Sequence, residues 1–258
     1  MRVLVVVLVL LVCGAPPASA HAGGLQPRDD LSRVVSVEPP LPGVVVEMVN
    51  HGTQLMVRNG GATVVEVAGT AVRPGETWRG VDQRTSRAVW EVPVGGSVVR
   101  GRVEVVPGPN PLWWLVITAL FAVGGYFLKK AGWLLAGGVV VVTVASVWHA
   151  VASTLVVTGE SFVPLMIGAA GVGLVCWPLA VVAVVAAVRG KAATAFVAAT
   201  VGAMFVVAGV PDFDSFRFSR LPFAGPGDLD RVLVALTLGG GLGLAAGGVA
   251  KMRREFAL

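Results

Sequence analysis

Charge is scarce in this sequence. Only 14% of the 258 residues are charged and 55% are hydrophobic, against about a quarter charged in a typical soluble chain. Mean hydropathy is +0.80. The deficit is uneven. Setting aside His149 and Cys176, no ionisable side chain occurs in the runs 131–158, 162–188, 192–210 and 232–250. About 18 apolar residues in a row suggest a membrane-spanning helix, so a purely soluble protein is excluded. Cysteine is nearly absent too. Cys13 lies in the apolar N-terminal stretch and Cys176 in a hydrophobic run, so a chain processed after residue 20 has no internal disulfide, even on an oxidising side of a membrane. No GxSxG, HExxH or glycine-rich phosphate loop between strand and helix is present, which removes the usual sequence signatures of hydrolases and nucleotide-binding enzymes.

The positive balance, net +5 with a pI near 9.9, does not point to nucleic acid. From His21 to Asn110 nine arginines meet nine acidic residues. The excess sits at Lys129 and Lys130, at Arg189 and Lys191, and at Lys251, Arg253 and Arg254. These are breaks between apolar runs, where basic residues mark the cytoplasmic side of a membrane protein.

What is present divides at Pro107–Trp114, PGPNPLWW. Three prolines bar a helix interior or a central strand, and a Trp pair suits the lipid headgroup level. Met1–Ala20 reads as a signal peptide: Arg2, an apolar run of about ten residues, then Ala18-Ser19-Ala20. Residues 21–107 read as an extracytoplasmic β domain, a small antiparallel sandwich. Short alternating runs, among them Val44–Val49, Gln54–Arg58, Ser86–Val94 and Val98–Val106, are separated by Asn50-His51-Gly52, Asn59-Gly60-Gly61 and Arg73-Pro74-Gly75. Residues 108–258 read as five transmembrane helices: Leu112–Leu128, Trp133–Val157, Phe162–Val188 kinked at Pro178, Ala192–Gly209 and Arg231–Ala250. The C-terminus is then cytoplasmic and the segment Pro211–Asp230 an outer loop, with Phe213, Phe216 and Phe218 dipping into lipid. Gly239, Gly243 and Gly247 repeat at four-residue spacing, a pattern that lets helix backbones approach closely, within the bundle or against a second copy.

Ser32–Asn59 (SRVVSVEPPLPGVVVEMVNHGTQLMVRN), VWEVPV with VVRGRVEVVPGPNP (Val89–Pro111) and FSRLPFAGP (Phe218–Pro226) resemble an actinobacterial family of membrane proteins with an extracytoplasmic β domain ahead of a helix bundle. Members carry a longer outer domain with a histidine-rich stretch. In the matching segment here, WRGVDQRTSRAVW, Asp82, Arg84 and Thr85 fit the pattern, but Val81, Gln83 and Ser86 replace the histidines. The resemblance implies that any metal or haem chemistry of that stretch is lost. It carries an association with copper handling and respiratory assembly.

Candidate site residues are few. A cleaved leader would expose His21, whose amine and ring nitrogen can chelate copper, with His51 as a second imidazole; Met48 and Met56 are soft donors that fit a strand core equally well. His149 is an ionisable residue inside a span, next to Trp148, with no acidic residue in any predicted span to form a relay. Asp212 and Asp214 resemble a carboxylate pair, but the PDFDSFRF stretch reads better as an interfacial loop whose charges stay wet. These features predict a non-enzymatic integral membrane protein whose outer domain serves interaction or assembly, with the lipid bilayer and an extracytoplasmic protein as partners and no nucleic acid. Copper handling through His21 is the alternative. Small-solute transport, resting on Thr143, Ser146, His149 and Pro178, is the third.

Overall fold

The computed structural model describes residues 22–82 and 88–255. The segment expected to be a signal peptide, with Cys13, and His21, Gln83, Arg84, Thr85 and Ser86 lie outside the described residues.

Among the described residues eight strands form two antiparallel sheets: β1 (Asp30–Glu38), β2 (Val44–Val49), β3 (Gln54–Asn59), β4 (Val65–Val67), β5 (Thr70–Val72), β6 (Thr77–Asp82), β7 (Val89–Val94) and β8 (Ser97–Val105). One sheet runs β1-β8-β7-β4-β5, the other β2-β3-β6. Alternating valines and leucines turn inward from both sheets, so Leu55 and Val57 of one meet Val67, Trp90, Val92, Val94 and Val99 of the other in a single core. Trp90 fits because Gly101 on the paired strand has no side chain: a Cβ there would lie 1.9 Å from the indole ring. The indole N–H donates to Ser32 Oγ at 2.5 Å. Asn59 is fully buried, and its side chain ties Thr63 O, Val72 O and the Gly61 amide together. Strands β5 and β6 were not expected from sequence. The first is three residues long after an Ala68-Gly69 turn, and the second, TWRGVD, lacks alternation.

The helical part begins where the joint predicts. Asn110 caps α1 (Pro111–Phe127) by accepting from the Leu112 amide at 3.0 Å, with proline at the first helical position. Next come α2 (Gly132–Leu155), α3 (Phe162–Ala170), α4 (Gly173–Val188), α5 (Ala193–Gly209), α6 (Gly227–Ala235) and α7 (Gly241–Glu255). A 3-10 segment, Val210–Phe216, extends α5, and a π turn, Leu236–Gly240, joins α6 to α7. Among the described residues four helical stretches are long and apolar enough to cross a membrane: Pro111–Lys130, Gly132–Leu155, Ala193–Phe216 and Gly227–Glu255. The pair α3 and α4 makes a fifth if counted as one crossing.

That pair corrects the sequence reading. The chain does not run as one helix kinked at Pro178. It bends by 74° between α3 and α4, and Pro178 lies inside α4. The bend is set by Gly171, at φ 46° and ψ −121°, a region closed to residues with a Cβ. The last span also starts earlier than Arg231 and continues past Ala250, and much of the expected loop Pro211–Asp230 is helical. Phe216 is fully buried against Trp114, Val234 and Ala235 instead of dipping into lipid.

The tightest packing in the bundle is backbone on backbone. A Cβ at Gly239 would lie 2.1 Å from Thr118 O, and one at Gly243 would lie 2.3 Å from Ala122 O; Gly247 faces Tyr126 O. The Gly239, Gly243 and Gly247 face is therefore in contact with α1 along its length. A second glycine face on α7 receives α5, with Gly241 at Gly202 and Gly248 at Ala195. Gly239→Ala and Gly243→Ala should each destabilise the bundle by about 1–3 kcal/mol through overpacking. Gly124→Ala, with open space around its Cβ, should not. Thermal unfolding in detergent or nanodiscs distinguishes them.

The outward face of β1, β8 and β7 is a ladder of ion pairs: Arg33 with Glu104, Arg102 with Glu104, and Arg100 with both Glu38 and Glu91. The hydrogen bond from Arg102 outweighs desolvation and, with the charge of Arg33, holds the Glu104 carboxyl below its ordinary value of 4.5. A lowered folded-state value stabilises the fold above the unfolded value, and that contribution is lost as pH falls through the folded one. Arg102→Gln should therefore lower stability slightly at neutral pH, flatten the acid limb of a stability-versus-pH curve, and leave the strongly acid end nearly unchanged.

Candidate functional site

The polar residues of the helical part converge at the end nearest the β domain. His149 lies on α2, about 9 Å before its C-terminal end at 1.5 Å per residue. The 3-10 segment continuing α5 carries Asp212, and the first turns of α6 carry Asp228, Asp230 and Arg231. Acidic residues suit the N-terminal turn of α6, where unpaired amides give a partial positive charge. The elements meet so that His149 Nδ1 lies 2.8 Å from Asp230 Oδ1 and Nε2 lies 3.4 Å from Asp212 Oδ1. Asp230 is fully buried, and Asp212 and His149 are nearly so. The Phe223 ring stacks on the imidazole at 6.3 Å, and Ser153 and Thr154 direct their hydroxyls to carbonyls of the same helix, Ser153 to His149 O. The expectation that His149 has no acidic partner within a span is thereby overturned. The helices extend into the stretch read as a loop and carry two carboxylates inward with them.

Arg231 holds this arrangement to the loop above it. Its Nε donates to Ser215 O at 3.0 Å, Nη1 to Asp228 at 2.8 Å, and Nη2 to Phe218 O at 2.7 Å. The guanidinium lies 5.9 Å from the Trp114 ring, within cation–π range. Only a planar fork of fixed donors can serve three separate acceptors in this way.

The same loop carries the β domain. Arg28 and Arg220 exchange two backbone hydrogen bonds, 2.9 and 2.8 Å, and Asp29 accepts from the Ser219 amide at 2.8 Å. Gly108, in the proline-rich joint, approaches Arg217 O so closely that a Cβ would lie 1.8 Å from it. A second fastening joins the β2–β3 turn to the α2–α3 connection: Asn50 Oδ1 accepts from the Thr158 amide at 2.8 Å and from its hydroxyl at 3.1 Å.

Beside the imidazole is a cavity of about 30 Å³ lined by Ser146, His149, Ala169, Asp212 and Thr237 among others, space on the order of one or two water molecules. A neutral imidazole has one N–H and can donate to one carboxylate at a time; donation to both requires the imidazolium. The arrangement can hold and exchange a proton. Among the described residues no group of three or more His, Cys, Asp or Glu side chains could hold a metal ion. His51 sits in the β2–β3 turn at φ 59°. Met48 packs on the core of the β domain, and Met56 pairs with Glu47 in the β2–β3 ladder. Asp214 is half exposed and 4.0 Å from Arg217, apart from the buried cluster. No family model, curated protein or solved structure matches the chain.

Replacement of Arg231 by lysine keeps the charge but supplies a single compact donor group. Arg231→Lys should speed hydrogen exchange at the Arg217 and Arg220 amides while leaving the β-sheet core protected. Exchange mass spectrometry of the full chain in lipid checks this; unchanged protection at both amides would contradict the clamp.

Proposed function

We propose that the chain is a non-enzymatic integral membrane protein whose β domain is an extracytoplasmic docking module for a protein partner, held in a fixed pose on five membrane crossings. The observation that carries this reading is the double fastening of the β domain to the bundle, through Arg28–Arg220 and Asp29–Ser219 at one point and Asn50–Thr158 at the other. A module that is already ordered relative to the bilayer loses less freedom when a partner binds. A passive membrane anchor has no need of two such joints.

Charge supports this sidedness. Lys129 and Lys130 follow α1, Arg189 and Lys191 lie between α4 and α5, and Lys251, Arg253 and Arg254 end α7. Lys129 sits over Tyr126, whose carbonyl faces Gly247, and Thr194 lies against Gly132. These basic residues therefore group at the end of the bundle away from the β domain, and the positive-inside rule assigns that end to the cytoplasm. On the outward sheet face the charges already have partners of their own, while Val35 and Val89 are 61% and 58% exposed. Recognition there rests on shape and apolar contact more than on net charge.

Photo-crosslinking residues placed at Val89 and Arg100 should yield discrete protein adducts in cells, whereas one at the exposed Leu120 of α1 should yield lipid adducts. A β domain that gives no protein adduct from either position would end this reading. A reporter fused after Lys251 should be active only on the cytoplasmic side.

A further inference from the structure

We propose that His149, Asp212 and Asp230 form a proton-binding site that exchanges protons with the side of the bundle carrying the β domain. This goes beyond the docking role and does not depend on it. The geometry supplies the argument. With one ring proton on Nδ1, 2.8 Å from Asp230 Oδ1, the Nε2 lone pair faces the Asp212 carboxylate at 3.4 Å. Lone pair against carboxylate is repulsive, and a proton between them turns the contact into a charge-assisted hydrogen bond. All three side chains are nine-tenths or more buried, so the added hydrogen bond forms where water competes little with it.

Among the described residues, the loop that stacks Phe223 on the imidazole carries Arg220, whose Nε is buried. Helices α3 and α5 carry no titratable side chain, and the Ala22–Gly24 turn against α2 carries none. Cys176 of α4 lies in the part of the core formed with Leu135 and Val139. Lys129 and Lys130, Tyr126 and the basic residues of α7 are at the opposite end. Asp214 is near Arg217, and Asp228 is 82% exposed and bound to Arg231. The guanidinium of Arg231 hydrogen-bonds to Asp228 and to loop carbonyls. Asp212 lies on the segment that leads into the loop beneath the β domain, and the adjoining cavity has room for water, which gives the proton a route. The step is uptake alone: an N–H bond forms at Nε2, hydronium becomes water, and no electron moves.

The test uses the full chain in lipid nanodiscs, with infrared difference spectra of the imidazole and carboxyl bands taken as pH is lowered from about 9 to about 5. The wild-type protein should show a buried titration that is lost in His149→Gln, which keeps hydrogen bonding but cannot become a cation. In Asp212→Asn the ring remains and one carboxylate charge is gone, so the midpoint should fall by about one pH unit, a tenfold loss of proton affinity. The same titration in wild type and His149→Gln would overturn the assignment, as would an unmoved midpoint in Asp212→Asn. Should His149→Gln fail to fold, the Asp212→Asn arm decides. A wild-type midpoint that moves with sodium concentration would assign the site to a metal cation and refute the proton reading.

Discussion

A buried charge inside an apolar bundle persists only when another group inside the bundle answers it. The meeting of α2, α6 and the Val210–Phe216 segment depends on this constraint. Asp230 has no contact with solvent, and His149 is the group that reaches it from α2. Arg231, the next residue, points away from that pair to three acceptors outside it. Two adjacent residues of one helical turn thus serve two structures. Asp230 fixes α6 against α2, and Arg231 fixes the loop 215–219 above them. Removal of either partner of such a buried pair costs far more than the pair contributes, because the remaining charge keeps its desolvation penalty.

The glycines of α7 make that convergence possible. Lipid gives helices no hydrophobic drive to associate, so close van der Waals contact and backbone proximity carry the packing. With Gly239 and Gly243 on α1 and Gly241 and Gly248 on α5, α7 and the π turn lie at backbone distance from two neighbours at once. The helix axis is thereby fixed along its length, and the direction in which α6 emerges from it is fixed too. The position of Asp230 follows from that direction.

The architecture was readable because its signals are local. Missing charge marks the spans, alternation marks Val44–Val49 and the β7–β8 hairpin, and Asn110-Pro111 marks the start of α1. The buried cluster was not readable in the same way. His149 and Asp230 are 81 residues apart in sequence, and no periodicity connects them. One signal was available: Pro226-Gly227-Asp228-Leu229-Asp230 has the acidic first turn of a helix N-terminus. Reading it as such would have moved the helix start forward by a turn and carried Asp230 into the bundle. Asp212 was harder, because Pro211 reads as the end of α5, whereas the chain tightens into a 3-10 segment and continues. The bend at Gly171 was masked by the more conspicuous Pro178, whose single missing amide a helix can absorb, whereas a left-handed glycine cannot continue one.

Three irregular backbone segments share one volume. The break after Ala170, the π turn at Leu236–Gly240 and the 3-10 segment at Val210–Phe216 each forfeit regular i to i−4 hydrogen bonding. Ala169, Thr237 and Asp212, one from each neighbourhood, line the same cavity beside His149. Backbone of this kind is tolerated at membrane depth only where protein or enclosed water satisfies it. Three separate departures from regularity around one cavity are difficult to derive from packing alone, since an unbroken helix at each place would leave fewer amides to satisfy. The departures make physical sense together if the cavity is the feature being preserved. The irregular backbone surrounds it, the glycine-packed core of α1, α5 and α7 holds it from below, and the β domain closes over the loop that leads to it.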